Sequence, residues 1–568
     1  MLIKKDKKSL FSTSLYSFFF KGKFFSSLLK FLGILQILLF IAFIYIAVAF
    51  DKDQIKKLLH STAQKTYWLG KTVTYLPLKW SNKISSKHPI LNLEIAPNDY
   101  QLIMTLKDDA IRTGNRLIKH SRKIPAIINY KNEKFDVRIR LKGDDVTQHL
   151  DLTKWSMRVE INNGRLMDMK AFNLQHPQKR SYMASFMLHK FLENEQLLTK
   201  RYNLVPVSIN GKYFGIYNYE EIPDHNMVES LTGIKKIVIF IDDDHVTEEM
   251  QYGSQLQKGF EHNLINNFFY DSIIKAHSLN EVLTDELLKQ DFERASKLLN
   301  DFRAGNLTAS EVFDVDKLAI WLAMTDLFGA NHQGGFNIKY IYDRNLDRLY
   351  PTVWDAVSNN TFSSVGFHKY NLFKYQSGNR FMLENILGDQ IVSEKYLTTL
   401  DQITTSKYID SVINIMRPKI DNYMAILKLD YPQFKIEDET KRLKENAEYL
   451  RKVYLYPKDP FNAYLPDDNK PNKLILVNRK PVPIKIIELI DTETNKRFKV
   501  KGADTDFILE NAVPGIPTAP KEILFECPMN DCFTTREISK MRIRAKVLGT
   551  KKSRSVKINN WVAYEEGK

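Results

Sequence analysis

The sequence is poor in cysteine, in long hydrophobic runs and in internal repeats. Its 568 residues include only two cysteines, Cys527 and Cys532, which excludes a disulfide-rich framework and, without paired histidines nearby, a zinc site. The two cysteines have four residues between them, so they form either a small-loop disulfide or two buried thiols. Hydrophobic residues at 43% and charged residues at 26% are typical of globular proteins, and the length predicts three or four units of about 150 residues.

Positive charge is concentrated at the two ends of the chain. Of the formal net charge of +16, residues 1–30 contribute +6 and residues 473–568 contribute +7, which leaves only +3 for everything between them. A basic groove through the body of the protein is therefore not expected, and we expect no nucleic acid as a partner.

One segment has the length and composition of a membrane span. Residues 31–50 are uncharged, and a helix of this length is about 30 Å long, as thick as the hydrocarbon core of a bilayer. Most of the nearby lysines precede the span, which predicts a cytoplasmic N-terminus. The sequence thus predicts an uncleaved, single-pass anchor in the cell membrane, with the bulk of the chain outside the cytoplasm.

The rest of the pattern predicts an α+β protein in several parts. Strand-like runs dominate up to about residue 241, and Asn210-Gly211 joins two of them as a hairpin. Helical periodicity follows, with a helix over 317–328 capped by Asp316 and a two-strand insertion after it. The predicted parts are a cytoplasmic tail (1–30), a transmembrane helix (31–50), a juxtamembrane stalk (51–90), a two-lobed domain (91–455), a linker (456–472) and a small C-terminal β-sandwich (473–568).

A candidate catalytic constellation follows the helix of residues 317–328. His332 and Asn337 lie five residues apart in a Gly-rich loop, and a strand hairpin then leads to Asp355. Kinases space a catalytic base, a metal-binding Asn and a metal-binding Asp in this way. The alternative is a hydrogen-bonded or exposed loop histidine and an aspartate that begins a turn.

Five motifs in order make a more specific pattern than any one of them. They are RLKGDD, KWSMRVEI, MKAFNLQHPQKRSYMASFMLHKFL, RYNLVPVSINGKYFGIYNYEEI and GANHQGGFN with its later WD. Over about residues 92–365 the chain resembles the CotH kinase-like family, the spore-coat-protein kinases and their relatives. The resemblance implies an atypical protein-kinase-like fold with two lobes. It also implies ATP and Mg²⁺ or Mn²⁺ as cofactors, and Ser or Thr of a protein as acceptor.

The resemblance assigns roles to the positions that match. Asn337 and Asp355 would hold the metal, and His332 would be the catalytic base. The predicted nucleotide-binding residues are four cations and one acid: Arg140, Lys142, Lys154, Arg158 and Glu221. The alternative for the four cations is a solvated strand face.

Two departures from the family pattern keep a second function open. The family has Asp at the position of His332, although a neutral histidine also serves as a base. Its W-D-x-D motif is here Trp354-Asp355-Ala356-Val357, which lacks the second carboxylate, and Asp242 to Asp244 or Asp326 would have to compensate. The first hypothesis is a membrane-anchored phosphotransferase acting on an envelope protein or polymer. The alternative is a catalytically degenerate scaffold in envelope, coat or surface-polymer assembly.

The C-terminal part carries alternating cations. Arg542, Arg544 and Lys546 alternate with apolar residues, so a strand would present all three on one face. Such a face would bind an anionic surface such as phospholipid or an acidic polymer. The alternative is an edge strand whose charges prevent aggregation.

Overall fold

The structure is a computed structural model that describes residues 88–113, 121–143, 154–242, 272–330, 337–354, 379–432, 434–466, 472–502, 507–512, 517–527 and 538–560. The chain divides into two compact units, Met1–Leu76 and Pro77–Lys568. All of the described residues belong to the second unit.

Seven strands form a closed barrel at the start of the second unit. They are β1 (Leu91–Glu94), β2 (Ile124–Tyr130), β3 (Glu133–Leu141), β4 (Met157–Ile161), β5 (Ala171–Gln175), β6 (Tyr202–Ile209) and β7 (Lys212–Glu221). Their order is β1-β2-β3-β4-β5-β7-β6, and a parallel pair between β1 and β6 closes the barrel. Alternate residues of β3, such as Val137 and Ile139, are buried inside it. The residues between them therefore face outwards.

The predicted Asn210-Gly211 hairpin is confirmed between β6 and β7. Both residues have positive φ, +48° for Asn210 and +77° for Gly211, as a two-residue hairpin turn requires. The Asn210 side chain also accepts a hydrogen bond from Ile95 N (2.7 Å) and donates one to Ile95 O (3.0 Å). The turn thus fastens the strand pair to the segment after β1.

Two helices, α1 and α2, lie between barrel strands in the chain, and the other helices and a second sheet follow the barrel. The helices are α1 (Pro97–Thr113), α2 (Ala184–Asn194), α3 (His225–Thr232), α4 (Leu279–Thr284), α5 (Glu286–Arg303), α6 (Ala309–Val312), α7 (Val315–Phe328), α8 (Asn379–Gly388), α9 (Gln390–Ile403), α10 (Ser406–Leu427) and α11 (Ile436–Leu450). The second sheet has the order β11-β10-β8-β9 and contains β8 (Val238–Ile241), β9 (Ile274–Ala276), β10 (Lys339–Asp343) and β11 (Arg348–Thr352).

Helix α7 is the buried helix that leads into the predicted catalytic loop. The structure begins it at Val315 with Asp314 as the N-cap, which accepts a hydrogen bond from Lys317 N (3.1 Å). The predicted cap, Asp316, is two residues too late. Its last residues are all buried, and Gly329 ends it in the left-handed conformation. The predicted hairpin of two strands after the loop is confirmed as β10 and β11.

The C-terminal strands form one sheet of eight strands instead of the predicted small sandwich. They are β12 (Phe461–Leu465), β13 (Lys473–Asn478), β14 (Ile484–Asp491), β15 (Arg497–Lys499), β16 (Ile508–Leu509), β17 (Lys521–Leu524), β18 (Met541–Val547) and β19 (Arg554–Asn560). The order is β15-β14-β18-β19-β12-β13-β17, with β16 paired to β14. A bridge between Val500 and Phe525 joins the two end strands, so the sheet is curled. Strand β12 lies within the stretch predicted as a linker.

Of the two alternatives for the cysteines, the structure supports the disulfide at Cys527. Cys527, just after β17, is disulfide-bonded. Cys532, the only other cysteine of the sequence, lies outside the described residues.

The fold class and the localisation both need a correction at the membrane segment. Among the described residues, the structure contains no helix of the length and apolar character needed to cross a bilayer. The predicted single transmembrane helix, and the single-pass cell-membrane localisation that depends on it, are therefore not supported. Residues 31–50 lie outside the described residues, as do the predicted tail and nearly all of the predicted stalk. The supported fold is a mixed α+β arrangement with a closed barrel and a curled sheet.

A buried ion pair connects the barrel to the helical part. The Lys154 ammonium is 1% exposed and contacts Asp430 Oδ2 (2.7 Å), three residues after α10. It also donates to Ile216 O (2.9 Å), and the Ile216 amide donates to the same carboxylate oxygen (2.7 Å). Since removing either partner would leave a buried charge unpaired, the pair fixes the approach of α10 to β7.

Gly215 makes this close approach possible, which gives a testable prediction. Its φ is +97°, and an added Cβ would lie 2.3 Å from Asp430 Oδ2. We expect Gly215→Ala to lower the free energy of unfolding by about 3 kcal/mol or more, from backbone strain and steric overlap together. Chemical denaturation measures this value.

Gly164 provides the matched control. Its φ is +78°, but a Cβ there would meet nothing within 4 Å. Gly164→Ala should therefore cost only the conformational strain, about 1 kcal/mol. Equal losses for the two variants would show that the contact with Asp430 does not constrain the fold.

Candidate functional site

The outer face of the barrel carries a row of polar residues that crosses four strands. In the strand register Arg140 lies opposite Arg158, Arg158 opposite Asn173, and Asn173 opposite Glu220. Directly paired residues point to the same side of a sheet, so these four side chains share one face. Asn173 and Glu220 are buried although they face away from the barrel core. Other parts of the chain therefore cover this face and contact its polar side chains.

A second polar row lies beside the first. It contains Gln175 and Asn218, which are also paired across β5 and β7 and are fully buried. Part of its cover is α10, because the Tyr423 hydroxyl contacts Asn218 Oδ1 (2.9 Å) and donates to Tyr182 O (2.7 Å). We call the two rows together the polar barrel face.

A buried ion-pair cluster lies at the edge of the polar barrel face. The Glu220 carboxylate forms ion pairs with Lys200 and, at 3.5 Å, with Arg180, and each of these three side chains is at most 3% exposed. Gln175 Nε2 donates a further hydrogen bond to it (2.9 Å). Burying three charges is costly unless their geometry is fixed, so such a cluster is a candidate for function rather than for stability.

Trp354 brings the second sheet to this cluster. The Lys200 ammonium lies 4.2 Å from the centroid of the Trp354 ring, and the Lys142 ammonium lies 5.5 Å from it. The hydroxyl of Thr352 donates to Leu198 O (2.9 Å), which fixes the end of β11 beside the segment that carries Lys200. Two cations thus converge on the residue that directly precedes Asp355 in the sequence.

The open end of the β10–β11 hairpin places Asn337 near the same position. Lys339 pairs with Thr352, and Asn337 and Trp354 each lie two residues beyond that pair. Asn337 is half-buried in the turn that enters β10. The hairpin therefore brings Asn337 and Trp354 to one end of the sheet.

His277, which the sequence analysis did not select, also lies against Trp354. Its ring centroid is 4.6 Å from that of Phe240 and 6.3 Å from that of Trp354. Burial, and then the positive charges of Arg158, Lys339 and Arg140, hold its pKa well below the ordinary value. The imidazole is therefore neutral near pH 7, and its buried Nε2 has no hydrogen-bond partner in the structure.

Three of the predicted nucleotide-binding residues come together and two do not. Arg140, Lys142 and Arg158 lie on the polar barrel face or at its edge, and Arg158 has a buried Nε without a hydrogen-bond partner in the structure. Lys154 is engaged by Asp430, which favours a structural role for it. Glu221 points to the other side of β7. His332 and Asp355 lie outside the described residues.

Glu221 is part of a separate buried pair. Arg201 contacts both of its carboxylate oxygens (3.0 and 3.1 Å) and also donates to Ser230 Oγ in α3 (2.8 Å). Since successive residues of a strand alternate, its neighbour Glu220 is the acid that reaches the polar barrel face. The assignment of Glu221 to nucleotide binding therefore stays a prediction.

The residues that sequence reasoning missed had a signal in the strand pattern. Strands β5 and β7 have polar residues at alternate positions, Asn173 and Gln175 in one and Asn218 and Glu220 in the other. A buried strand with polar residues on one side predicts a covered polar surface. Lys200, Arg180 and His277 had no comparable signal, because tertiary packing alone brings them together.

Of the two predicted metal ligands, Asn337 is among the described residues and Asp355 is not. Within the described residues no group of three His, Cys, Asp or Glu side chains is arranged to hold a metal ion. The Asn337 amide, with the Asp355 carboxylate, has the oxygen chemistry that Mg²⁺ prefers. Asp242 instead pairs with Lys275 (2.7 Å), and Asp326 accepts a hydrogen bond from Tyr396, so neither is a substitute for the missing second carboxylate in this arrangement.

Comparison with known families agrees with this arrangement. A family profile described as CotH kinase protein matches residues 139–457, more than half of the chain. The match covers β3 to β7, the ion-pair cluster and the β10–β11 hairpin, and it defines a kinase-like domain. The chain belongs to the CotH kinase protein family. No curated protein gives a significant match.

The pKa of Glu221 gives a prediction for the site region. Burial, only partly offset by Arg201, raises this pKa from an ordinary 4.5 to about 7. The folded chain therefore binds the proton more tightly than the unfolded chain, and this stabilisation is complete below about pH 4.5 and lost as the pH rises to about 7. Between pH 5 and 8, ionisation of Glu221 should lower the free energy of unfolding of the wild type by on the order of 2 kcal/mol. Glu221→Gln should not show this fall.

Urea denaturation at several pH values measures this difference. Glu133→Gln, an exposed position at the start of β3, is the matched control and should keep the wild-type pH dependence. The same fall in Glu221→Gln as in the wild type would show that the Glu221 carboxyl stays ionised throughout this range.

Proposed function

We propose that this chain is an ATP- and divalent-metal-dependent phosphotransferase that acts on Ser or Thr hydroxyls of a protein. The observation that carries the proposal is the convergence of Lys142 and Lys200 on Trp354, which precedes Asp355 in the sequence, with the buried Glu220 paired to Lys200. The family membership supports it, because a kinase-like domain spans all of these residues.

The basic residues suit a nucleotide triphosphate. Arg140 and Arg158 are direct cross-strand neighbours, and Glu160, 3.7 Å from Arg158 Nε, is one acid beside two like charges, which leaves a net positive charge for an anionic ligand. A guanidinium binds phosphate oxygens through two parallel hydrogen bonds. The two arginines and Lys142 would thus orient the phosphates along the polar barrel face.

Lys200 and Glu220 would position the transferred phosphoryl group. The Glu220 carboxylate holds the Lys200 ammonium against the Trp354 ring, where it is buried and fixed in direction. Charge that is fixed before the reaction stabilises a phosphoryl transition state without reorganisation. Lys200 would act on the phosphate, whereas Glu220 would be a positioning residue.

The metal and the base belong to the same end of the hairpin. Asn337 and Asp355 would hold Mg²⁺ or Mn²⁺, which when bound neutralises phosphate charge. His332 would accept the proton of the acceptor hydroxyl. Asp355 and His332 are assigned by the family resemblance.

One sequence feature favours a second candidate function. Val357 stands where the family motif has its second carboxylate, so a second metal ion would lack a ligand. The second candidate is therefore a catalytically degenerate kinase-like scaffold, such as one in coat or surface-polymer assembly.

Two measurements on the full chain separate the candidates. Calorimetry with ATP and Mg²⁺ measures nucleotide binding, and transfer of labelled γ-phosphate to casein as a generic Ser/Thr acceptor, or to the chain itself, measures turnover. The enzyme is expected to bind and to transfer. Lys200→Met and Asp355→Asn should each lower the transfer rate at least about 100-fold, as the loss of a fixed transition-state charge does.

Lys212→Met is the matched control, because Lys212 is exposed at the start of β7. It should leave both binding and transfer unchanged. Metal-dependent binding without transfer would support the scaffold, and no binding at all would overturn both the nucleotide site and the enzyme.

A further inference from the structure

The eight-stranded C-terminal sheet has one strongly basic face. In β18 the apolar residues Met541, Ile543, Ala545 and Val547 are buried, and Arg542, Arg544 and Lys546 between them face outwards. The register adds their direct neighbours on the same side. The outward members of β14, β15, β18 and β19 include seven cations, which are Lys485, Arg497, Lys499, Arg542, Arg544, Lys546 and Lys557. We call these residues the cationic sheet face.

Glu488 is the one acid that the register places among these cations. It pairs with Arg544 (2.9 Å) and with Arg497 (3.4 Å). Lys499, Lys546 and Lys557 form no ion pair with any described residue. Most of the charge on the cationic sheet face is therefore not neutralised by the folded chain.

The charge on β18 does not serve to protect an edge of the sheet. Strand β18 lies between β14 and β19, so its backbone groups are already paired on both sides. The edge-protecting interpretation of alternating Lys and Arg applies to strands with an unpaired side. Arg542 also lies directly opposite Lys557. Like charges in such pairs destabilise a sheet, so an external anion is the better explanation of this pattern.

The face lacks the features that other polyanions require. Within β14, β15, β18 and β19, the described residues paired with these cations include no aromatic side chain on which nucleic-acid bases could stack, and their apolar member, Ile490 opposite Arg497 and Arg542, is half-buried and so offers little surface to a lipid interface. Strands present cations about 7 Å apart along one face and about 5 Å apart across strands. Such a lattice suits a flexible chain of repeated phosphates, and arginine favours phosphate through paired hydrogen bonds.

We propose that the cationic sheet face binds a linear polyol-phosphate polymer, whose phosphodiesters are separated by neutral polyol units. This binding is independent of nucleotide binding and of phosphoryl transfer at the other site. The polymer lies across β15, β14, β18 and β19, with its phosphates at Lys499, Lys546, Lys557 and Arg542.

The test measures binding of a synthetic glycerol-phosphate oligomer to the full chain by calorimetry at several salt concentrations. The variant is Lys499→Gln with Lys546→Gln and Lys557→Gln, three changes that break no ion pair among the described residues. We expect at least about tenfold weaker binding and a shallower dependence on salt. The melting temperature should be unchanged or raised, because the pair of Arg542 and Lys557 loses one of its two like charges.

A control variant with the same net charge tests whether binding depends on the cationic sheet face or only on the net charge of the chain. Lys134, Lys407 and Lys458 are exposed and lie outside the face, and changing all three to Gln should leave the affinity near that of the wild type. Equal weakening in both triple variants would overturn the proposal. Binding of an oligothymidylate, or of vesicles with anionic lipid, that is as tight as binding of the glycerol-phosphate oligomer would also overturn it.

Discussion

The closure of the barrel is the constraint on which the rest of the structure depends. A closed sheet has one face that must be filled with apolar side chains and one face that remains for other uses. In this chain the inner face takes Val137, Ile139 and their equivalents, and the alternation of side chains then places Arg140, Arg158, Asn173 and Glu220 outside in one row. A shift of one residue in a single strand would break this row and place a charge in the core.

The buried charges divide into those that join parts of the fold and those that converge on Trp354. Lys154 and Asp430 fix the helical part to the barrel, with Gly215 allowing the contact. Lys200, Arg180 and Glu220 are as deeply buried, and the Lys200 ammonium lies 4.2 Å from the centroid of the Trp354 ring at the end of a hairpin. Buried ion pairs contribute little net stability compared with apolar packing, and under the proposed function the second group would serve phosphate binding.

Local patterns in the sequence predicted much of the fold but little of its closure. The hairpin at Asn210-Gly211, the pair β10–β11 and the buried helix α7 all have strong local signals, and the structure confirms them. The parallel pair of β1 with β6 and the bridge from Val500 to Phe525 join residues far apart in sequence, and no local pattern encodes such pairs. The expected sandwich was wrong for this reason: the short strands were recognised but their pairing was not.

The same distinction applies to the candidate site. Arg140, Lys142 and Arg158 could be selected because they lie in two successive motifs, RLKGDD and KWSMRVEI. Lys200 and His277 could not, since only the approach of the second sheet brings them to Trp354. Lys154 shows the limit of a motif, because its neighbours in space, not in sequence, decide what its charge contacts.

The convergence of cations also bears on the missing second carboxylate. A second metal ion in a phosphotransferase mainly supplies positive charge that neutralises the phosphates. Under the proposed function, Lys142, Lys200 and the two paired arginines would supply such charge from the protein itself, and a ligand at Val357 would then be unnecessary. His277, kept neutral by burial beside these cations, would add no further charge of its own. A site with one metal ion and fixed side-chain cations is electrostatically consistent with phosphoryl transfer, so the Val357 departure, although it favours the scaffold, does not exclude the enzyme.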